Sequence, residues 1–180
     1  LRVLASFRPC FILPMSEKPL QVYIDGQFFD EGNAKISVFD HGLLYGDGVF
    51  EGIRFYNDRV TCLKEHISRL FDSAKAIHME IPATQEEVCA IVVETIRQND
   101  LHDGYVRLVI TRGTGGLGLS PYRCEKVSII VIASTISLYP REKYEQGLIL
   151  ATCATRRPTH DSLSPSAVSY THLRAHETSK

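Results

Sequence analysis

The pattern of apolar and polar positions divides the chain into short strands and two longer helical stretches. Val22-Tyr23-Ile24 and Gln27-Phe28-Phe29 flank Asp25-Gly26, a pair that accepts the positive φ angles of a tight turn, so this stretch predicts a β-hairpin. Gly48–Tyr56 (GVFEGIRFY) is rich in strand formers, and Asn57-Asp58 predicts a turn into a second strand over Val60–Leu63. From Leu63 the period lengthens: Leu63, Ile67, Leu70, Phe71, Ala74 and Ile77 form one apolar stripe at helical spacing. Pro82 interrupts. Thr84 and Glu87 then have the spacing of a capping box, and Val88, Ile91, Val92, Thr95 and Ile96 carry a second helix to Asn99. Tyr105–Thr111 (YVRLVIT) and Val127–Ala133 (VSIIVIA) read as strands, the second so evenly apolar that a central place in the sheet is expected. Ser137–Gln146, with Pro140, reads as a connector, and Leu148–Thr155 (LILATCAT) as the opening of another strand. The expected class is α+β.

Composition narrows the possibilities. Of 180 residues, 44% are hydrophobic and 23% charged, the balance of a globular protein and not of a disordered one. Lys+Arg 20 against Asp+Glu 21 leaves a net charge of −1, so no basic excess recruits nucleic acid or an anionic membrane. No apolar run approaches the ~20 residues of a membrane span. The cysteines (Cys10, Cys62, Cys89, Cys124, Cys153) are odd in number, scattered and without CxxC spacing. They argue against a disulfide framework or zinc ribbon and suit a reducing, cytoplasmic setting with no metal.

Both ends differ from the middle. Leu1–Pro14 precedes the first methionine, Met15. Its apolar stretch Cys10–Leu13 is shorter than the ~7–15 residues of a signal-peptide core, so residues 1–14 read as upstream sequence. Val168–Thr178 (VSYTHLRAHET) resembles the translation of a transposon-end sequencing adaptor, which sets residues 168–180 outside the fold. His172 and His176 in that tail have metal-ligand spacing but no weight. The expected organisation is a small α+β domain over 15–136, a connector over 137–146 and the opening of a larger domain over 147–167.

Gly113–Pro121 (GTGGLGLSP) contains four glycines between two predicted strands. It is neither a P-loop nor a GxGxxG turn, since no Gly-Lys-Ser/Thr and no helix follow. It reads as a wide loop or as a backbone that approaches a ligand closely.

Four collinear motifs carry a resemblance. His41–Arg54 (HGLLYGDGVFEGIR), Glu65–Leu70 (EHISRL), Tyr105-Val106-Arg107 with Arg112-Gly113, and Arg156–Ala167 (RRPTHDSLSPSA) resemble segments of the fold-type-IV, pyridoxal-phosphate-dependent aminotransferases. Phe50–Arg54 and Asp161–Pro165 are most similar to the branched-chain members. The resemblance implies the small N-terminal domain of that fold, an antiparallel sheet with two helices, plus the first strand of the large domain. It implies pyridoxal 5'-phosphate as cofactor, an amino acid and a 2-oxo acid as substrates, and a homodimer. The reaction implied passes an amino group from Leu, Ile or Val to 2-oxoglutarate in a ping-pong cycle.

By the same resemblance, Arg69 matches the arginine that binds the cofactor phosphate. A guanidinium forks two hydrogen bonds onto phosphate oxygens, although a solvated helix arginine is the ordinary alternative. Tyr45, Phe50, Gly52, Tyr105 and Arg107 match positions around the substrate pocket, where aromatic walls suit an aliphatic side chain and Arg107 suits a carboxylate. Leu119 matches a residue offered to the neighbouring subunit's pocket. The Schiff-base lysine of the family falls at Val168, which has no amine, so the chain by itself is expected to be inactive. Other readings are a D-amino-acid aminotransferase, an aminodeoxychorismate lyase, or a non-catalytic dimerisation or binding module.

Overall fold

A computed structural model of the protein describes residues 18–137, 139–152 and 154. The expectations for Leu1–Pro14, Arg156–Ala167 and the 168–180 tail lie outside the described residues. The sheet is antiparallel and six-stranded: β1 (Gln21–Ile24), β2 (Gln27–Asp30), β3 (Gly48–Tyr56), β4 (Arg59–Val60), β5 (Gly104–Thr111) and β6 (Ser128–Ser134), in the order β2-β1-β6-β5-β3-β4. The apolar run of β6 therefore does lie inside the sheet. The β1–β2 hairpin turns on Asp25 (φ 50) and Gly26 (φ 98), the positive angles its Asp-Gly pair allows.

Among the described residues the α-helices are α1 (His41–Tyr45), α2 (Leu63–Ala76), α3 (Gln85–Gln98) and, after the last strand, α4 (Arg141–Gln146). The stripe of α2 buries Ile67, Leu70 and Ala74, and that of α3 buries Val88, Val92 and Ile96. Both press onto one face of the sheet. Strand alternation sends Val49, Ile53, Phe55, Val106, Leu108, Ile110, Val131 and Ala133 to meet them as the main core. The opposite face carries a smaller cluster of Val22, Val109 and Ile130 with Ile24, Phe50 and Ile132.

Three details differ from the pattern-based expectation. The strand expected over Val60–Leu63 ends at Val60, because Cys62 turns into left-handed backbone (φ 47) and Leu63 already begins α2. The connector over Ser137–Gln146 contains α4, which starts after Pro140, where a fixed φ suits helix entry. The expected strand over Leu148–Thr155 does not form in the described residues 148–152, which make no strand pairing. A lone strand without a ladder partner gains no backbone hydrogen bonds.

Candidate functional site

β3 sits at the centre of the candidate site. It pairs with β5 along its length, Gly52 opposite Arg107 and Arg54 opposite Tyr105, whereas β4 pairs only with Phe55 and Tyr56. Among the described residues, the stretch from Gly48 to Ile53 thus has no ladder partner on its outer side. Alternation sends Phe50 and Gly52 to one face of this edge and Glu51 to the other.

On the first face, Phe50, Gly52, Tyr105 and Arg107 come together. The Arg107 guanidinium lies 4.8 Å from the Phe50 ring centroid and 5.4 Å from that of Tyr105. Tyr105 crosses over Gly52, where an added Cβ would meet its Oη, so a side chain there would make the ring shift. An aromatic wall holding a half-buried guanidinium, which makes no ion pair among the described residues, can seat a carboxylate beside an aliphatic group.

On the second face, Glu51 is 1% exposed and accepts a fork from Arg69: Nε donates to Oε1 at 2.6 Å and Nη2 to Oε2 at 2.6 Å. His66 Nδ1 stands 2.8 Å from the same Oε2; a carboxylate oxygen only accepts, so Nδ1–H is the donor. Consequently the 3.2 Å approach of Arg69 Nη2 to His66 Nδ1 brings two donors together and is not a hydrogen bond. The bond to Glu51, reinforced by its charge and opposed by partial burial, raises the Arg69 pKa above its ordinary value. Arg69 keeps 52% of its side chain exposed, enough to meet a ligand.

Tyr45 and Leu119 fall in a third group, around the Gly-rich loop. Asp40 caps α1 by accepting from the Gly42 N–H at 2.7 Å and also accepts from Thr111 Oγ1 at 2.9 Å. His41 Nε2 donates to the Gly116 carbonyl at 2.9 Å, and Tyr45 Oη to the Leu117 carbonyl at 2.6 Å. The loop is therefore fastened by its backbone, while Leu117 (71%) and Leu119 (80%) stand exposed. Arg112 at its root donates Nε and Nη2 to Asp47 at 2.9 and 3.0 Å, and reaches the Ile77 and His78 carbonyls, each at 2.8 Å.

The sequence motifs contained Glu51, His66, Asp47 and Arg112 without assigning them roles. A signal for Glu51 was present: in Val49-Phe50-Glu51-Gly52-Ile53 it shares the inward face with Val49 and Ile53, and a charge placed there requires a partner. Among the described residues no cluster of His, Cys, Asp or Glu could hold a metal ion, and no helix is long and apolar enough to cross a membrane.

The sheet and its helices match the N-terminal domain of solved class IV aminotransferases. The profile of the family described as amino-transferase class IV matches residues 48–175, and the chain belongs to that family. A protein of Methanocaldococcus jannaschii named as a branched-chain-amino-acid aminotransferase is 50% identical over 156 residues, covering 87% of this chain and 53% of its own. The D-alanine aminotransferase of Staphylococcus epidermidis is 33% identical over 133 residues, 73% of this chain and 47% of its own. A branched-chain amino acid aminotransferase from T.th., solved with pyridoxamine 5'-phosphate, is similar in fold with a TM-score of 0.63 and 35% identity, covering 69% of this chain and 43% of that one. The chain spans about half the length of the relatives it matches.

Proposed function

We propose that this chain is the N-terminal part of a pyridoxal-phosphate-dependent branched-chain amino-acid aminotransferase. The observation that carries the reading is the open edge of β3, flanked by Arg69 on one face and by Phe50, Gly52, Tyr105 and Arg107 on the other. A single ligand that wraps this edge can meet a cation with its phosphate and an apolar wall with its substrate end. The residues present fit the phosphate of the cofactor: Arg69 is charged and half exposed, and its Nη1 makes no hydrogen bond among the described residues. By the resemblance the Schiff-base lysine falls at position 168, where this sequence has valine, outside the described residues.

Held by these residues, pyridoxal phosphate would supply an electron sink for charge developing at the substrate's α-carbon. The residues of this domain bind and orient: Arg69 takes the phosphate, Arg107 the substrate carboxylate, and Phe50 and Tyr105 exclude water from the aliphatic side chain. Tyr45, which holds the Gly-rich loop through the Leu117 carbonyl, borders the pocket from that loop. Leu119, on its exposed loop, serves the pocket of a second subunit, so the working form is a homodimer acting in the cytoplasm.

The branched-chain reading is favoured over the D-alanine one by the 50% identity to the first relative against 33% to the second. The test is an amino-donor profile of the full-length protein with 2-oxoglutarate. Leucine, isoleucine and valine are expected to react, and D-alanine is not. Activity confined to D-alanine would replace the proposal with the alternative. The 180-residue chain, with Val168 at the lysine position, is expected to show no turnover under the same assay.

A further inference from the structure

We infer that Glu51 is a positioning residue that dictates how Arg69 presents itself to an anion: through its end-on Nη1/Nη2 edge and not through its side-on fork. The inference rests on the proposed phosphate role of Arg69. A guanidinium has two bidentate edges, one formed by Nε and Nη2 and one by the two terminal nitrogens. Glu51 occupies the first edge, at 2.6 Å on both nitrogens. It cannot drift, because it is 1% exposed on a strand whose neighbours Val49 and Ile53 are fully buried. His66, one turn earlier on α2, fixes the Oε2 atom from a second direction at 2.8 Å. Glu51 thus makes three hydrogen bonds, all to residues of α2. Arg69 retains both Nη1–H donors and the outer Nη2–H among the described residues, on a side chain that is 52% exposed.

The arrangement has an electrostatic cost that makes the test sharp. A carboxylate next to the anion site repels a phosphate, so charge alone predicts that removing Glu51 tightens anion binding. Positioning predicts the reverse, since a freed guanidinium must be ordered anew each time it binds.

The first experiment titrates the full-length apoprotein with pyridoxal 5'-phosphate, read by absorbance, for the wild type, Glu51→Gln, Glu51→Asp and Arg69→Lys. Glu51→Gln is expected to weaken binding about tenfold or more, the scale of one charge-assisted hydrogen bond, despite removing a negative charge. Glu51→Asp, which keeps the charge but draws the fork back by one methylene, is expected to weaken it as well. Unchanged or tighter binding in Glu51→Gln would overturn the inference while leaving Arg69 as the phosphate ligand. If Arg69→Lys binds as tightly as the wild type, the proposed role of Arg69 fails instead.

A second measurement needs no folded variant. In the wild type, arginine side-chain 15N resonances are followed while inorganic phosphate is added. The Arg69 Nη signals are expected to shift with the Nε signal nearly still, and a dominant Nε shift would show that the anion displaces Glu51.

Discussion

At the scale of the single residue, Arg112 shows how much structure one guanidinium can hold. It is 8% exposed and binds Asp47, at the α1–β3 junction, together with two carbonyls at the end of α2. One side chain therefore ties the root of the Gly-rich loop to both neighbours. Lysine keeps the charge but offers a single nitrogen, which cannot reach four acceptors in two directions. Arg112→Lys is expected to destabilise the full-length protein by about 2 kcal/mol, because two part-buried hydrogen bonds to carbonyls and the fork on a half-buried carboxylate are lost. Chemical denaturation measures this, and a loss below about 0.5 kcal/mol would mean that water replaces the lost bonds. Neither Arg112 nor Glu51 could be assigned from motifs, for the same reason. Each works by pairing with a residue distant in sequence, Asp47 lying 65 positions from Arg112 and Glu51 lying 18 from Arg69. Local pattern reveals that such a charge is buried but not what satisfies it.

At the scale of the element, legibility followed length and punctuation. β3 occupies Gly48–Tyr56 as the strand-forming run predicts, and α3 starts after Thr84 as its capping box predicts. α1 was invisible, because five residues are too few to show a period; it exists through the Asp40 cap and the left-handed Gly46 (φ 67) that closes it. The capping box gives a pH prediction. Glu87 Oε2 accepts from the Thr84 N–H at 2.7 Å, and the Glu87 N–H donates to Thr84 Oγ1 at 3.2 Å. The backbone bond to Thr84 first, and the bond to its side chain second, hold the Glu87 carboxyl below its ordinary pKa. A depressed folded-state value means that Glu87 contributes stability above its unfolded pKa and loses it as pH falls through the folded one. The Tm difference between wild type and Glu87→Ala is therefore expected to be largest near neutral pH and to shrink as the solution is acidified through the carboxylate range. A difference that stays constant with pH would assign the effect to helix propensity. Thr84→Ala, which removes the hydroxyl acceptor, is expected to cost about 1 kcal/mol near neutral pH.

At the scale of the whole molecule, the distribution of apolar surface carries the argument. The face of the sheet under α2 and α3 is sealed, whereas Leu117, Leu119 and Tyr122 (90%) stand out from a loop whose backbone is fastened by His41 and Tyr45. A loop fixed by its backbone and apolar at its tip is shaped to enter another surface, in keeping with the role proposed for Leu119 in a second subunit's pocket. That role can be separated from one within the same subunit by complementation. Leu119→Glu alone spoils the pocket of the partner, and Arg107→Ala alone spoils its own. In a hybrid dimer of the two full-length variants, one pocket has both defects and the other has neither. If Leu119 acts across the interface, co-refolding equal amounts of two inactive variants should restore about a quarter of wild-type activity, since half the dimers are hybrids with one sound pocket each. If Leu119 acts within its own subunit, every pocket in every dimer carries one defect, and mixing restores nothing.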